Sequence, residues 1–474
     1  MPATALVDPD PKVLRRAFKA RRRTELGLLV AASVIIVAAY SLMIFGNTAK
    51  VPTDAVPLLL AMLGLGGVAH IANRIFAPRA IAVVLPIAFL LNGLGYVMIL
   101  RIDLAVATQF APLQAAWTAG GVLAYVLTLV VIRRSRDLDR YRYLLLVAGV
   151  ALLLAPLVPG IGEDIKGARL WVHFGSFNFQ PVEVAKLVLC LFFASYFAEK
   201  RELLTIPTVR FGNRLVLDPR PLVPIGLAWV FAIGVMSLEN DIGFSALLFT
   251  LFIGMLWVTT GRTSYLVLAV ILFGIGAYIA AKYFGQVHIR VEGWLDPWKY
   301  ANSNAGDQLV QSWYSLGSGG IGGAGLGLGS GAYLIPLSNT DFIFAVIGEE
   351  MGLLGSTMVV VAFMLMVGAG LRIAQSARSE FAKLTATGLT MIIGFQAFFI
   401  IGGIVRLFPL TGITLPFVSY GGSALIANYV LIGLLMRISD EGNAASDLAD
   451  QEQYEQSLQR RERLLSGGNP GSSG

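Results

Sequence analysis

The sequence predicts an all-α polytopic membrane protein, on three observations. Of its 474 residues 56% are hydrophobic and only 14% charged, mean hydropathy is +0.72, and apolar runs of membrane-crossing length recur along the chain. A soluble domain of this length carries far more charge. A hydrocarbon core of roughly 30 Å takes about 20 apolar residues per helix. Candidate spans are 26–46, 56–76, 80–100, 116–132, 143–158, 182–198, 222–238, 244–260, 265–285, 342–371, 384–407 and 415–436, about twelve transmembrane helices. Connections are short except at 199–221 and 286–341.

Charge sets the expected topology. With the N-terminus inside, 27 of the 36 Lys and Arg fall on cytoplasmic segments and 8 on external ones, with Lys186 inside a span. That is the positive-inside pattern, and the reverse orientation violates it in nearly every loop. The net charge of +7 is therefore mainly topological and argues for no nucleic-acid partner. The clusters Arg21-Arg22-Arg23 and Arg133-Arg134-Arg136 suit anionic headgroups of the membrane. Both termini are expected in the cytoplasm and loop 286–341 outside the cell.

Three regions follow. Residues 1–25 read as a basic cytoplasmic arm, 26–437 as the membrane domain, and 438–474 as a flexible cytoplasmic tail rich at its end in Gly and Ser. The stretch 447–465 has a composition that also suits a surface helix. The first apolar run is too long for a cleaved signal segment and reads as a retained anchor. Cys190 is the single cysteine and lies mid-span, which excludes a disulfide framework. His70, His173 and His288 are scattered, so the residues identify no metal site.

Loop 286–341 is too long to be structureless without a function. It carries Trp294, Trp298 and the run GSGGIGGAGLGLGSG (317–331), and is expected to fold back as short interfacial helices with its tryptophans at headgroup level. The Gly-rich run lacks the Lys-Ser/Thr ending of a nucleotide-binding loop.

Ionisable residues in or beside spans are the candidates for chemistry. Asp341 is the only acid in GAYLIPLSNTDFIFA (331–345), where a polar loop turns into an apolar helix. SNTD is also a good helix start, so Asp341 reads either as a cap or as a reactive carboxylate. In QPVEVAK, Glu183 and Lys186 stand i,i+3 on one helix face. They read either as a mutually neutralising pair or as an ammonium facing an anion. Glu349 and Glu350, two turns past Asp341, read as structural hydrogen-bonding groups. Asp241 suits a tight turn.

Together these runs resemble the SEDS family (shape, elongation, division and sporulation proteins), nearer its RodA branch than its FtsW branch. The similar stretches are GARLWVHFGSFNFQPVEVAK (167–186), NDIGFSALLFTLFIGMLWVTTGR (240–262), RVEGWLDP with DQLVQSWYSLGSGG (290–320), NTDFIFAVIGEEMGLLG (339–355) and LFPLTGITLPFVSYGGSALIANYVLIGLLMRI (407–438), in family order and spacing. The resemblance implies a ten-helix core over 80–437, with 26–76 as two additional N-terminal helices. It implies a peptidoglycan glycosyltransferase of cell-wall synthesis, shape and division that polymerises lipid II outside the membrane, working with a class B penicillin-binding transpeptidase and other elongation-complex proteins.

By the same resemblance Asp341 is the essential aspartate. Glu183 and Lys186 match the family's QPSExxK pair, and Arg169 and Trp171 match its Arg-Trp motif with Leu170 between them. The family's Arg ahead of Q-x-x-W is Leu113 here, and Arg101 is the candidate substitute. Arg290, Gln308, Gln311 and Ser419 complete the expected substrate-binding set. No cofactor is identified from the residues, and the resemblance leaves room for a divalent cation, Mg2+ or Mn2+.

The implied chemistry is attack of an acceptor 4-hydroxyl on the donor's anomeric carbon. Asp341 takes the proton, Lys186 with Arg101 or Arg290 holds the departing polyprenyl pyrophosphate, and the anomeric centre inverts. Two other classes fit the same composition. A transporter (a flippase for the lipid-linked precursor) predicts internal repeats, which the two halves do not show. A non-catalytic scaffold for a transpeptidase predicts that Asp341 is dispensable.

Overall fold

The computed structural model describes residues 11–47, 55–165, 168–174, 177–205, 209–211, 214–216, 242–283, 285–300 and 304–466, with positions 230 and 234. The expected span 222–238, apart from positions 230 and 234, and Asp241 lie outside the described residues. Helices α1 (Pro11–Asn47), α2 (Ala55–Phe76), α3 (Val84–Val106), α4 (Phe110–Val131), α5 (Arg142–Leu154) and α6 (Val182–Thr205) form the first half. Helices α7 (Ile242–Thr260), α8 (Thr263–Tyr283), α9 (Gly285–Leu295), α10 (Asn304–Gly319), α11 (Gly331–Leu334), α12 (Ile343–Gln375), α13 (Glu380–Ile404) and α14 (Gly422–Ser466) form the second.

Ten helices among the described residues are long and apolar enough to cross a membrane. Helix α6 is long enough too, but it carries Glu183, Lys186, Glu199 and Lys200. The bundle is apolar on both sides, as a bilayer solvent requires. Helix α3 is buried along most of its length, while Val34 and Phe45 of α1, Val131 of α4 and Val270 of α8 are exposed.

The observed spans extend past the apolar runs where polar residues find work inside the bundle. Helix α3 continues through Arg101 and Asp103, both buried. Asp103 accepts from the backbone N–H of Phe110 (3.0 Å) and Ala111 (2.6 Å) and from the Thr108 hydroxyl (2.6 Å). A carboxylate thus meets the positive end of α4 and satisfies its first donors. At the opposite end, Arg437 donates to the carbonyls of Phe76 (2.8 Å), Ile132 (2.7 Å) and Leu129. One guanidinium therefore closes the C-terminal ends of α2 and α4.

The N-terminal pair is joined to the rest: α1 packs on α3 and α2 on α4. Between α1 and α2, Glu25 Oε1 lies 2.6 Å from His70 Nδ1 and Glu25 Oε2 accepts from Asn73 at 2.8 Å. The basic arm, set apart from the membrane domain in the sequence, is helical from Pro11 onward and forms the start of α1. The tail is also not a loose chain, since α14 runs unbroken from the bundle to Ser466.

The all-α expectation omitted two small sheets. Strands β1 (Gly162–Ile165), β2 (Ala168–Phe174) and β3 (Phe177–Phe179) form an antiparallel meander, with Glu163 opposite Trp171 and Val172 opposite Phe179. Strands β4 (Val209–Phe211) and β5 (Arg214–Val216) pair as a hairpin. Their sequence signal is alternation of apolar and polar residues between Gly or polar turns.

The described residues of loop 286–341 form α9, α10 and α11, so the short helices expected there are present. Its Gly-rich part is pinned at Gly352, which breaks α12 with φ of +67°. A Cβ there would stand 2.3 Å from the Gly323 nitrogen, so only glycine allows this close approach.

Candidate active site

Asp341 ends the turn that leads into α12. The preceding Leu337 has φ of +58°, a left-handed conformation costly for a leucine. Its carbonyl accepts from the Thr340 backbone N–H at 3.1 Å, closing the turn. The N-cap position of α12 falls on Phe342, which makes no side-chain cap bond.

Asp341 is half-buried and lines a cavity of about 150 Å³ together with Arg290 of α9, Gln308 of α10, Leu337, Thr411 and Gly412. Arg290 donates to the Thr411 carbonyl at 2.9 Å and, more weakly, to that of Leu410 at 3.5 Å. A carboxylate, a guanidinium and an amide thus converge from three elements on one opening, the arrangement expected of a reactive pocket.

Ser419 does not face that cavity as a free hydroxyl. It is buried, donates to the Thr340 carbonyl (2.6 Å) and accepts from the Leu415 N–H (3.0 Å). The Tyr420 N–H donates to the Asn339 carbonyl at 2.8 Å. Loop 405–421 is thereby fastened to the turn that holds Asp341, and Ser419 acts on the site through the backbone. Gln311 sits one turn beyond Gln308, 3.5 Å from Asp307 Oδ1.

Glu183 and Lys186 are fully buried and paired to each other. Lys186 Nζ also donates to Gln396 Oε1 at 2.9 Å and stands 5.6 Å from the centre of the Phe244 ring. The Gln396 amide in turn donates to the Thr414 carbonyl at 3.0 Å. The pair does not line the cavity around Asp341. Through Gln396, which was not among the sequence candidates, it reaches Thr414 of loop 405–421, the loop that supplies Leu410, Thr411 and Gly412 to the cavity. The signal for Gln396 was available: a lone polar side chain within the apolar stretch of α13.

Arg101 is placed differently from the expected phosphate contact. Its Nε donates to Glu350 Oε1 at 2.8 Å and a terminal nitrogen to the Gly329 carbonyl at 2.8 Å, with both side chains buried. Glu350 Oε2 accepts from the Gly327 N–H (2.9 Å). Glu349 accepts from the N–H groups of Ser330 (2.8 Å) and Gly331 (2.6 Å) and from the Ser330 hydroxyl (2.9 Å). The two glutamates therefore fold the Gly-rich run onto the bundle, the structural role their sequence suggests, and Arg101 completes that network. The side chain of Arg169, on β2, lies outside the described residues.

Among the described residues no group of three or more His, Cys, Asp and Glu side chains could hold a metal ion. Asp341 is the one carboxylate lining the cavity. This donor set does not make a resident divalent-cation site.

Comparisons with known proteins agree with this architecture. A family profile described as cell cycle protein (FtsW, RodA, SpoVE) matches residues 81–444. The peptidoglycan glycosyltransferase RodA of Mycobacterium tuberculosis is 40% identical over 436 residues, covering 90% of this chain and 92% of that protein. A probable peptidoglycan glycosyltransferase FtsW of Geobacter metallireducens is 32% identical over 365 residues, covering 75% and 94%. The Mycobacterium alignment is longer than the profile match and all that follows it, so it reaches back into α2. Among solved structures, a chain of a peptidoglycan synthase complex superposes with a TM-score of 0.56 at 23% identity, covering 81% of this chain and 97% of its own. The rod shape determining protein RodA of Thermus thermophilus superposes with a TM-score of 0.52 at 24% identity, covering 74% and 94%. These two likenesses concern the fold.

Proposed function

The chain belongs to the FtsW, RodA and SpoVE family of cell cycle proteins and is a peptidoglycan glycosyltransferase of cell elongation in the bacterial inner membrane; we propose that it builds glycan strands at the cavity around Asp341. The single observation that carries this placement is that Asp341, Arg290 and Gln308 line one opening. The substrate in this reading is lipid II, presented on the outer face of the membrane with both protein termini in the cytoplasm. The charge distribution supports that orientation.

The residues divide the chemistry between them. An acceptor sugar's 4-hydroxyl attacks the anomeric carbon of the donor. The C–O bond to the polyprenyl pyrophosphate breaks, and the hydroxyl proton passes to the Asp341 carboxylate. Negative charge grows on the departing phosphate oxygens, where the Arg290 guanidinium, already oriented by Thr411, stabilises it. The Gln308 amide offers a donor and an acceptor to sugar hydroxyls. A pyrophosphate leaves without the protonation a simple alcohol needs, so one carboxylate suffices. Glycosidases instead use a carboxylate pair. Direct displacement at one face inverts the anomeric centre.

Lys186 uses two of its three donors on Glu183 and Gln396. Its part in this reading is to fix loop 405–421 with a buried charge, and any contact with the leaving group comes through rearrangement of that pair. A Mg2+ or Mn2+ ion fits this site only as one carried in on the substrate's phosphates. A class B penicillin-binding transpeptidase is the proposed partner that crosslinks the strands, within a larger elongation assembly.

Arg290→Gln tests the leaving-group assignment. It keeps a donor to the Thr411 carbonyl but removes the charge, and is expected to lower the polymerisation rate by about 10²–10³-fold, the range for losing one oxyanion donor. The readout is labelled lipid II turnover at saturating substrate. A rate within a factor of about two of wild type would remove Arg290 from that role.

A further inference from the structure

The cavity of about 150 Å³ is smaller than the roughly 300–1,000 Å³ of ordinary small-molecule sites. It takes the reacting end of a lipid-linked saccharide, and the rest of the glycan must be held outside it. Helix α10 leads from the cavity to a second surface. Gln308 lines the opening, while Asp307, Gln311 and Tyr314 follow one another at i, i+4 and i+7 along the neighbouring face of the same helix. Tyr314 is 59% exposed, and beside it lies Trp298, 56% exposed, from the turn after α9. The two rings stand 5.9 Å apart at 74°.

These aromatic rings are held in place. Trp298 rests edge-on against Trp313 at 6.3 Å. The Trp313 indole N–H donates to the Ile404 carbonyl at 2.8 Å, and the Arg406 guanidinium lies over its ring at 5.6 Å. Arg406 itself donates to the carbonyls of Trp294 (3.0 Å) and Leu295 (2.7 Å). Exposed large aromatics on a rigid support, flanked by a carboxylate and an amide, are the chemistry that recognises sugars. The C–H faces of a pyranose stack on the rings, and its hydroxyls bond to Asp307 and Gln311.

We propose that Trp298 and Tyr314, with Asp307 and Gln311, form an outer saccharide subsite that holds the glycan strand as it leaves the Asp341 cavity. The proposal rests on the reading of the chain as a glycan polymerase and assigns the strand a path along α10. Headgroup-level tryptophans also occur simply as membrane anchors. Asp307 stands on the Tyr314 face of α10, two turns away, and offers sugar hydroxyls an acceptor that a lipid phosphate would not tolerate, while Arg406 is committed to the Trp294 and Leu295 carbonyls.

The test uses the full-length protein in nanodiscs. Trp298→Ala and Tyr314→Ala are each expected to shorten the strands made from labelled lipid II by about two- to tenfold, the weight of one aromatic contact. Initial lipid II consumption should stay within about a factor of two of wild type, and Trp298→Phe should restore strand length. Independently, the fluorescence difference between wild type and Trp298→Phe isolates Trp298. It should respond to an uncharged β-1,4-linked N-acetylglucosamine tetrasaccharide, and this readout needs no turnover. Unchanged strand length with no tetrasaccharide response would overturn the subsite. So would quenching by brominated phosphatidylcholine without a tetrasaccharide response, which marks a membrane anchor. If wild type makes no strands, the polymerase reading fails, while the fluorescence arm still decides whether the surface binds sugar.

Discussion

Asp341→Asn is expected to lower the initial rate of glycan polymerisation by about 10²–10⁴-fold, the usual contribution of a general base. The amide keeps the size and the hydrogen-bonding reach of the carboxylate, so the turn closed by Leu337 and fastened by Ser419 should persist. Thermal stability and binding of the proposed transpeptidase partner should therefore match wild type. KM for lipid II should change little, because the lost interaction forms with the transferring proton and not with the resting substrate. Equal rates in the two proteins would reduce Asp341 to a structural residue and revive the scaffold reading. A loss of stability equal to the loss of rate would say the same.

Arg101→Met is expected to destabilise the bundle by about 3–5 kcal/mol, the cost of leaving a buried charge without its partner. Glu350 would keep only the Gly327 N–H, and the Gly329 carbonyl would lose its donor. The measurement is unfolding in detergent. The double variant Arg101→Met with Glu350→Met should regain part of the loss, because removing both members of a buried pair costs less than removing one. A stable Arg101→Met protein with a raised KM for lipid II would instead return Arg101 to the substrate. The two outcomes separate cleanly because one moves the unfolding curve and the other moves KM.

Much of the fold was legible because a bilayer demands long apolar runs and a charge bias, and both are properties of local sequence. The ends of the helices were less legible. Arg101 and Asp103 look like loop residues by composition, yet each is satisfied by a group far along or just beyond the helix, so α3 continues through them. The kink at Gly352 depends on the backbone of 320–325 lying against it, a tertiary contact no local pattern reports. The small sheet after α5 was not legible because its alternation over 168–179 is short and its pairing depends on residues brought together by the turns between the strands.

The site was legible in part. Asp341 stood out as a lone acid at a loop-to-helix boundary, and the cavity lies there, shared with Arg290 and Gln308. Glu183 and Lys186 stood out equally well as intramembrane charges, but their helix face says only that they pair. That the pair connects to loop 405–421 through Gln396 and Thr414 required the structure. Ser419 was expected as a substrate contact only through the resemblance, and its hydroxyl is spent on the Thr340 carbonyl instead.

The most direct test of the central claim is to ask which residues the lipid-linked sugar touches. A photoreactive amino acid placed at Leu337, at the mouth of the Asp341 cavity, would be irradiated with labelled lipid II bound, alongside a control at Leu272 on the exposed face of α8. The account predicts labelling at position 337 that unlabelled lipid II displaces, with only undisplaceable background at 272. Displaceable labelling absent from 337 would contradict it and move the polymerising site elsewhere in the bundle.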